Sequence, residues 1–366
     1  MEDKILSDIK KLIPKNVTDH LPKKELDPAL LYLLHLTENQ NNSMNSSLSV
    51  LESIEIVLER TWETLNTGHW KDVPLAPRQL YTGAAIIKID MLLKRYAEEP
   101  VDKLGILHSA LKTADLSLML GAPLSSGNCN MAEVAQLLTK AISIVQPEMS
   151  SQQDTNVTSI HLECVPTLVQ DIPGVRGEML LSLEKPSLEK FRTNHFIPRV
   201  PVKLTGCMTH WPALEKWKNM NYLKKVAGAR TVPVELGAHY VDPEWSQKLM
   251  TISEFIETHV LQESGDNNTV GYLAQHPLFE QVIGEKRILL YSPDDSENLY
   301  PHEGSMLNNT AQVNPEYPDF SKFPKFKVAK AWECHLQPGQ MLYIPPKWWH
   351  HVRSLSRSFS VSFWWS

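Results

Sequence analysis

Apolar residues recur at helical spacing through the first 146 residues of the chain. Between Leu48 and Leu65, five apolar side chains fall three or four residues apart and share one helix face: Leu51, Ile54, Leu58, Trp62 and Leu65. Similar stripes occupy 2–13, 85–96, 104–120 and 131–145. Asn130 precedes the last of these, and asparagine is a favoured N-cap residue. The pattern predicts an all-α domain over residues 1–147, with buried stripes facing a common core.

The hydrophobic pattern changes after residue 196. Short runs rich in β-branched and aromatic residues alternate there with Pro and Gly, at 200–206, 231–237, 270–274, 286–292 and 341–346. The run 358–363 alternates serine with apolar residues, which is typical of a strand with one packed face. A helical insert is expected at 251–261. The pattern predicts a double-sheet jelly roll over residues 187–366, so the chain as a whole is placed in the α+β class.

A polar stretch without periodicity, MSSQQDTNVT at 149–158, separates the two parts. It predicts a linker over 148–186, in which 161–172 is either a strand leading to the barrel or an extension of the linker. A length of 366 residues suits two domains. A limited proteolysis experiment is expected to cut first within 148–158.

Composition narrows the classes of function. The formal net charge of -6 provides no positive potential that would attract nucleic acid, so direct nucleic-acid binding is not indicated. A charge of this size is compatible with a protein partner. No apolar window has the length that a bilayer demands, and the amphipathic N-terminus lacks the core of a signal peptide, so an intracellular protein without membrane association is expected. The four cysteines are far apart, which argues against a disulfide framework or a structural zinc site.

The most specific stretch of the chain is QPGQMLYIPPKWWHHVRSL at 337–355. A Pro-Gly turn leads into a buried strand, and two tryptophans then precede His350. This order places one imidazole at the inner rim of a barrel beside two large apolar side chains, as an oxygen-activating iron(II) site requires. The adjacent His351 is expected to point the opposite way, to the surface.

This stretch resembles the C-terminal metal-binding motif of the Jumonji-C family, the cupin-type iron(II) and 2-oxoglutarate oxygenases. Other runs resemble the family in the same order along the chain: MTHWPALEKW at 208–217, RTVPVELGAHYVDPEWSQ at 230–247, VGYLAQHPLFEQ at 270–281, LYSP at 290–293 and LYPH at 299–302. The resemblance covers roughly the last half of the chain. It implies a cupin-like double-stranded β-helix with Fe(2+) and 2-oxoglutarate as cofactor and cosubstrate.

The family's iron site is a 2-His-1-carboxylate triad, made by a His-x-Asp pair and a distal histidine. The resemblance assigns His350 to the distal position. The pair is expected between 281 and the LYSP run, yet His-x-Asp occurs nowhere in this chain. Gln281 leads directly into Val282, so by comparison with the family two or three strands, roughly 45–50 residues, are absent near 281/282. His161 and Glu163 form the sole His-x-Glu, and they precede the barrel.

The resemblance assigns further positions one at a time. Lys286 matches a lysine that pairs with 2-oxoglutarate, Tyr272 a tyrosine that contacts the same molecule, and Trp364 a tryptophan of the pocket wall. Glu235 matches an acid that receives the basic side chain of a peptide substrate. Each has a structural alternative: a solvent-facing Lys286 or Glu235, or a Tyr272 or Trp364 that only packs in the core.

Two functions therefore stay open. The resemblance implies a protein oxygenase, with arginyl hydroxylation, histone lysine demethylation and histone-tail peptidase activity all attributed to relatives. Its partner would be a histone tail or another nuclear protein with a basic side chain, in chromatin and cell-cycle regulation, in the nucleus or otherwise the cytoplasm. The alternative is a non-catalytic isoform, or an incomplete gene model, that keeps only the helical interaction module. The absent His-x-Asp pair favours loss of activity in this polypeptide.

Overall fold

The computed structural model describes residues 2–42, 48–68, 72–98, 101–125, 129–146, 174–175, 177–237, 245–261, 271–273, 284–303 and 308–361. Its contacts divide the chain into two compact units. The first unit comprises 1–156 and 223–274, and the second comprises 157–222 and 275–366. Residues 223–274 thus group with the helices, whereas the sequence pattern places them in the predicted jelly roll. The domain boundaries drawn from the sequence stay a prediction.

The first unit is built mainly from six helices: α1 Glu2–Leu12, α2 Pro28–Asn42, α3 Leu48–Leu65, α4 Leu75–Glu98, α5 Lys103–Leu120 and α6 Met131–Val145. Short 3-10 turns lie at Val17–His20 and Lys23–Glu25. Helix α4 is buried along most of its length, because α3 and α5 both pack against it. The predicted N-cap is confirmed, since the Asn130 side chain accepts a hydrogen bond from the Glu133 amide. Helix α2 lies within the predicted all-α domain, but no apolar stripe marked it, because its apolar and polar positions do not segregate clearly.

A three-stranded antiparallel sheet completes the first unit. Its central strand β4 (Thr231–Leu236) pairs with β5 (Ser246–Thr251) on one side and with β6 (Gly271–Leu273) on the other. Helix α10 (Ile252–Phe255) follows β5 and begins with a capping box between Thr251 and Glu254, and it continues as a π-helical turn at Ile256–Val260.

The second unit contains the remaining strands in two sheets. The strands are β1 Glu178–Met179, β2 Ser182–Glu184, β3 Val202–Thr205, β7 Lys286–Tyr291, β8 Ala331–Leu336, β9 Met341–Tyr343 and β10 Trp349–Ser354. The four-stranded sheet has the order β1-β8-β7-β10, and the three-stranded sheet has the order β2-β3-β9. Short helices lie between the strands: α7 Leu188–Phe191, the π-helical Arg192–Phe196, α8 Ala213–Lys216, and the 3-10 helices Pro293–Leu299 and Pro324–Val328. Helix α9 (Met220–Ala227) begins in the second unit and ends in the first.

The four-stranded sheet has two differently covered faces. Ile288, Leu290 and Cys334 on one face form a buried cluster with Leu342 of the other sheet, so this face is the interior of a β-sandwich. Leu289 and Tyr291 on the opposite face pack against residues of the 3-10 helices and their loops. The interior face is called the inner face below.

The predicted α+β class is confirmed, with helices in the N-terminal region and a β-sandwich at the C-terminal end of the chain. Five of the predicted strand runs each contain a strand. The run 358–363 is represented among the described residues by one bridge residue, Phe359, and not by a strand. None of the described helices is both long and apolar enough to cross a membrane.

Candidate functional site

His350 lies on β10, which forms one edge of the four-stranded sheet in the described part of the chain. It is directly opposite Leu290 of β7, so it belongs to the inner face. The side chain is exposed, and its Nδ1 lies 3.4 Å from the Trp348 carbonyl oxygen. His351 points to the other face, as predicted, but it is half-buried and makes further contacts. His351 is therefore on the expected face, although it is less exposed than His350.

The two tryptophans do not flank His350 together. Trp348 packs on the inner-face cluster, with its ring centroid 5.2 Å from that of Trp332. Trp349 packs on the opposite face, where its indole Nε1 donates to Ser296 Oγ at 2.9 Å. The physical reason is strand alternation, which sends consecutive side chains to opposite faces.

Lys286 lies at the start of β7 on the same inner face, because it and Leu290 are four residues apart on one strand. It is only 6% exposed. Its Nζ donates a hydrogen bond to Ser360 Oγ, and no carboxylate pairs with it among the described residues. Burial lowers the pKa of the Lys286 ammonium. A solvent-facing strand lysine is thus excluded, and the buried cation is suited to an incoming carboxylate.

Glu235 and Tyr272 are directly opposite each other on β4 and β6 of the first unit, so their side chains share one face of that sheet. Glu235 is half-buried, and Tyr272 is 55% exposed. The structure therefore brings together the predicted substrate acid and the predicted 2-oxoglutarate tyrosine as one pair. Their assigned roles stay predictions.

Several predicted positions lie outside the described residues: Trp364, the His161–Glu163 pair, the stretch 148–158 and the Gln281–Val282 junction. Sequence reasoning missed Ser360, which the structure shows as the partner of Lys286. The alternating serines at its end of the chain were the available signal, although alternation alone does not identify a partner.

The described residues do not fit the iron centre that the resemblance implies. Among them, no group of three or more His, Cys, Asp and Glu side chains lies close enough to hold a metal ion. By strand register, His350 is paired with the apolar Leu290 of β7, and Leu290 is in turn paired with the apolar Trp332 of β8. The residues do fit one carboxylate of 2-oxoglutarate, through Lys286.

A helical region followed by a β-sandwich that carries a lysine and a histidine on its inner face is the arrangement of a cupin-type protein. The Cupin-like domain family matches residues 188–282 and 274–366. Lysine-specific demethylase 8 of Danio rerio is 33% identical over 422 aligned residues, which cover 99% of each chain. Lysine-specific demethylase 8 of Xenopus tropicalis is 32% identical over 411, covering 85% of this chain and 88% of the relative.

Jumonji C domain-containing protein 5 of Drosophila melanogaster is 34% identical over 369 aligned residues, which cover 84% of this chain and 85% of the relative. The chain therefore belongs to the Jumonji-C family of cupin-like proteins, as its motifs predicted.

The comparisons also bear on the absent segment. The alignment with the Danio rerio protein spans 422 positions, whereas this chain has 366 residues. At least 56 residues of the relative therefore have no counterpart in this chain. The Cupin-like match falls into two pieces that meet at 274–282, around the Gln281–Val282 junction. The first finding shows that positions of the relative have no counterpart in this chain, and the second divides the family match near the predicted junction.

Proposed function

We propose that this chain is a form of an iron(II)- and 2-oxoglutarate-dependent protein oxygenase whose complete form acts on a basic side chain of a protein substrate. The observation that carries the proposal is the shared inner face of the four-stranded sheet, which holds buried Lys286 and, on β10, His350. The names of the relatives as lysine-specific demethylases support a protein substrate.

In this proposal, Lys286 binds one carboxylate of 2-oxoglutarate as a point charge. Ser360 orients the ammonium by its hydrogen bond, and the sandwich interior excludes competing water. 2-Oxoglutarate supplies the electrons for oxygen activation when it is bound. Glu235 receives the guanidinium or ammonium of the substrate, and Tyr272 lies opposite it on the neighbouring strand. Hydroxylation of arginine is the proposed reaction, because a carboxylate pairs with a guanidinium through two hydrogen bonds.

This 366-residue polypeptide is proposed to be inactive on its own, because its sequence has no His-x-Asp pair. The test is insertion of the family's absent segment after Gln281. The inserted protein is expected to form succinate from 2-oxoglutarate, and its His350→Ala variant to lose that activity. The matched control carries the same insertion with the His and Asp of the pair replaced by alanine. Succinate formation by the uninserted, soluble chain would show that the proposed dependence on the segment is wrong.

A second candidate is a non-catalytic isoform or an incomplete gene model that retains the helical module. It is favoured by the hydrophobic core shared by α1 to α6, which contains no residue of the second unit. The genomic sequence across the Gln281–Val282 junction distinguishes an omitted exon from a natural deletion. A complete reading frame for the segment in that interval identifies an omitted exon, and uninterrupted coding sequence identifies a natural deletion.

The proposed setting is the nucleus, with the cytoplasm as the alternative, in chromatin and cell-cycle regulation. The proposed partner is a histone tail or another nuclear protein with a basic side chain. Immunofluorescence of the tagged full chain tests the location.

A further inference from the structure

A groove on the helical part of the first unit lies between α3, α4 and α5 and contains none of the residues assigned above to oxygenase chemistry. Its volume is about 270 Å³. Pockets for small molecules usually measure about 300–1,000 Å³. The groove therefore has room for one or two side chains of a partner, but little for a larger cofactor.

Part of the groove lining is apolar. Leu58 of α3 and Leu116 of α5 line it, and the indole of Trp62 stands beside it. The periodicity of α3 places Trp62 on the buried stripe, yet the side chain is 48% exposed. An exposed tryptophan at the rim of a cavity is a frequent anchor of protein interfaces.

The groove lining also contains two carboxylates, both on α3. The Glu59 carboxylate makes no hydrogen bond or ion pair with any residue that the structure describes. Glu55 also lines the groove, but it is paired with Lys88 of α4 at 2.6 Å. The lining therefore carries one negative charge in excess, located on Glu59.

Tyr81 of α4 adds a polar group inside the groove. Its side chain is only 5% exposed, and its hydroxyl has no hydrogen-bond partner in the described part of the chain. Burial, followed by the charge of Glu55, raises the pKa of Tyr81 to about 12, so the phenol is neutral at physiological pH. The hydroxyl oxygen is not one of the fully enclosed polar atoms of the described residues, so a ligand in the groove can reach it as a hydrogen-bond partner.

We propose that this groove binds an arginine side chain presented by a basic segment of a partner protein. A guanidinium stacks on the face of an indole and binds a carboxylate through two N–H groups, which fits Trp62 and Glu59. Its remaining donors reach toward the Tyr81 hydroxyl, and its aliphatic stem covers Leu58 and Leu116. The site goes beyond the proposed oxygenase function, because it requires neither iron nor 2-oxoglutarate.

The test is calorimetric titration of the full chain, without metal or 2-oxoglutarate, with the peptide acetyl-Ala-Leu-Arg-Leu-Ala-amide. The matched ligand carries citrulline, which has the shape of arginine without its charge. We expect saturable 1:1 binding of the arginine peptide and at least tenfold weaker binding of the citrulline peptide. Trp62→Ala and Glu59→Gln are expected to weaken binding at least tenfold, and Tyr81→Phe several-fold.

Two control variants separate a local site from a general surface effect. Glu52→Gln removes a charge from the same helix without touching the groove, and Tyr32→Ala removes another exposed aromatic side chain on α2. Both are expected to bind within twofold of the unsubstituted chain, and circular dichroism at 222 nm confirms that each variant is folded. Weakening by Glu52→Gln equal to that by Glu59→Gln would overturn the proposal.

Three other outcomes would also overturn it: no saturable binding, equal binding of the two peptides, or self-association of the peptide-free chain that Trp62→Ala abolishes. The last result, measured by sedimentation equilibrium, would identify a second copy of the chain as the occupant. A negative result in the peptide titration does not change the succinate assay of the inserted protein. The groove proposal and the oxygenase proposal can therefore be rejected independently.

Discussion

Asp115 of α5 and Arg230, which immediately precedes β4, form a buried ion pair within the first unit. Arg230 Nε donates to Asp115 Oδ1 at 2.7 Å, and the Thr231 amide donates to the other carboxylate oxygen at 2.7 Å. Asp115 is fully buried and Arg230 nearly so. The pair therefore fixes the beginning of the strand that carries Glu235 to the helical core.

Replacing Asp115 by alanine is expected to destabilise the first unit by about 3–5 kcal/mol, because Arg230 would remain buried without its counter-charge. Urea unfolding followed by circular dichroism at 222 nm measures the change. The control is Glu257→Ala, which breaks the more exposed pair between Lys224 and Glu257. It is expected to cost less than about 1 kcal/mol. Equal losses in the two variants would contradict the importance of the buried pair.

Replacing Lys286 by methionine is expected to stabilise the folded chain and to abolish stabilisation by added 2-oxoglutarate. Burial lowers the pKa of Lys286 below its usual 10.5, so the folded state disfavours the charge that the unfolded state accepts. The advantage of methionine is therefore greatest below the lowered pKa and shrinks as the pH rises toward 10.5. Thermal unfolding over a pH series, with and without 2-oxoglutarate, tests both effects. A methionine variant still stabilised by 2-oxoglutarate would disprove the carboxylate role.

Replacing Glu333 by glutamine tests a second buried charge network. Burial acts to raise the pKa of Glu333, but hydrogen bonds from Arg287 and His335 outweigh it and lower that pKa below 4.5. Stability from the ionised group is present above pH 4.5 and is lost as the pH falls through the lowered value. The unsubstituted chain is expected to be more stable than Glu333→Gln at pH 7, and this difference should shrink on acidification toward pH 3. A difference in unfolding midpoint that stays constant over this range would exclude the coupling.

Titration with manganese(II), a redox-stable substitute for iron(II), is expected to show no tight site in the uninserted chain. A single histidine is a weak site for a divalent metal, and His350 has apolar neighbours on the inner face. His350→Ala should leave the titration unchanged. A stoichiometric site that disappears in His350→Ala would reveal a compensating ligand pair, and His161 and Glu163 would be the first residues to replace.

Features that depend on the spacing of neighbouring residues follow from the amino-acid sequence alone. The bounds of α3 and α6 follow from apolar residues at helical spacing, and the cap at Asn130 follows from a hydrogen bond between neighbours in the chain. The order of the motifs was sufficient to identify the family, because each motif is a contiguous run. The absence of His-x-Asp is likewise a property of the sequence alone.

Contacts between residues far apart in the chain became visible in the folded protein alone. Lys286 faces the sandwich interior and donates a hydrogen bond to Ser360, and Asp115 pairs with Arg230. The strand and helix patterns of the sequence predict neither of these partners. His350 and His351 alternate as the sequence predicts, but their exposure depends on the position of β10 at a sheet edge. The physical reason is that periodicity fixes the face of an element, whereas burial and charge pairing depend on which other elements pack against that face.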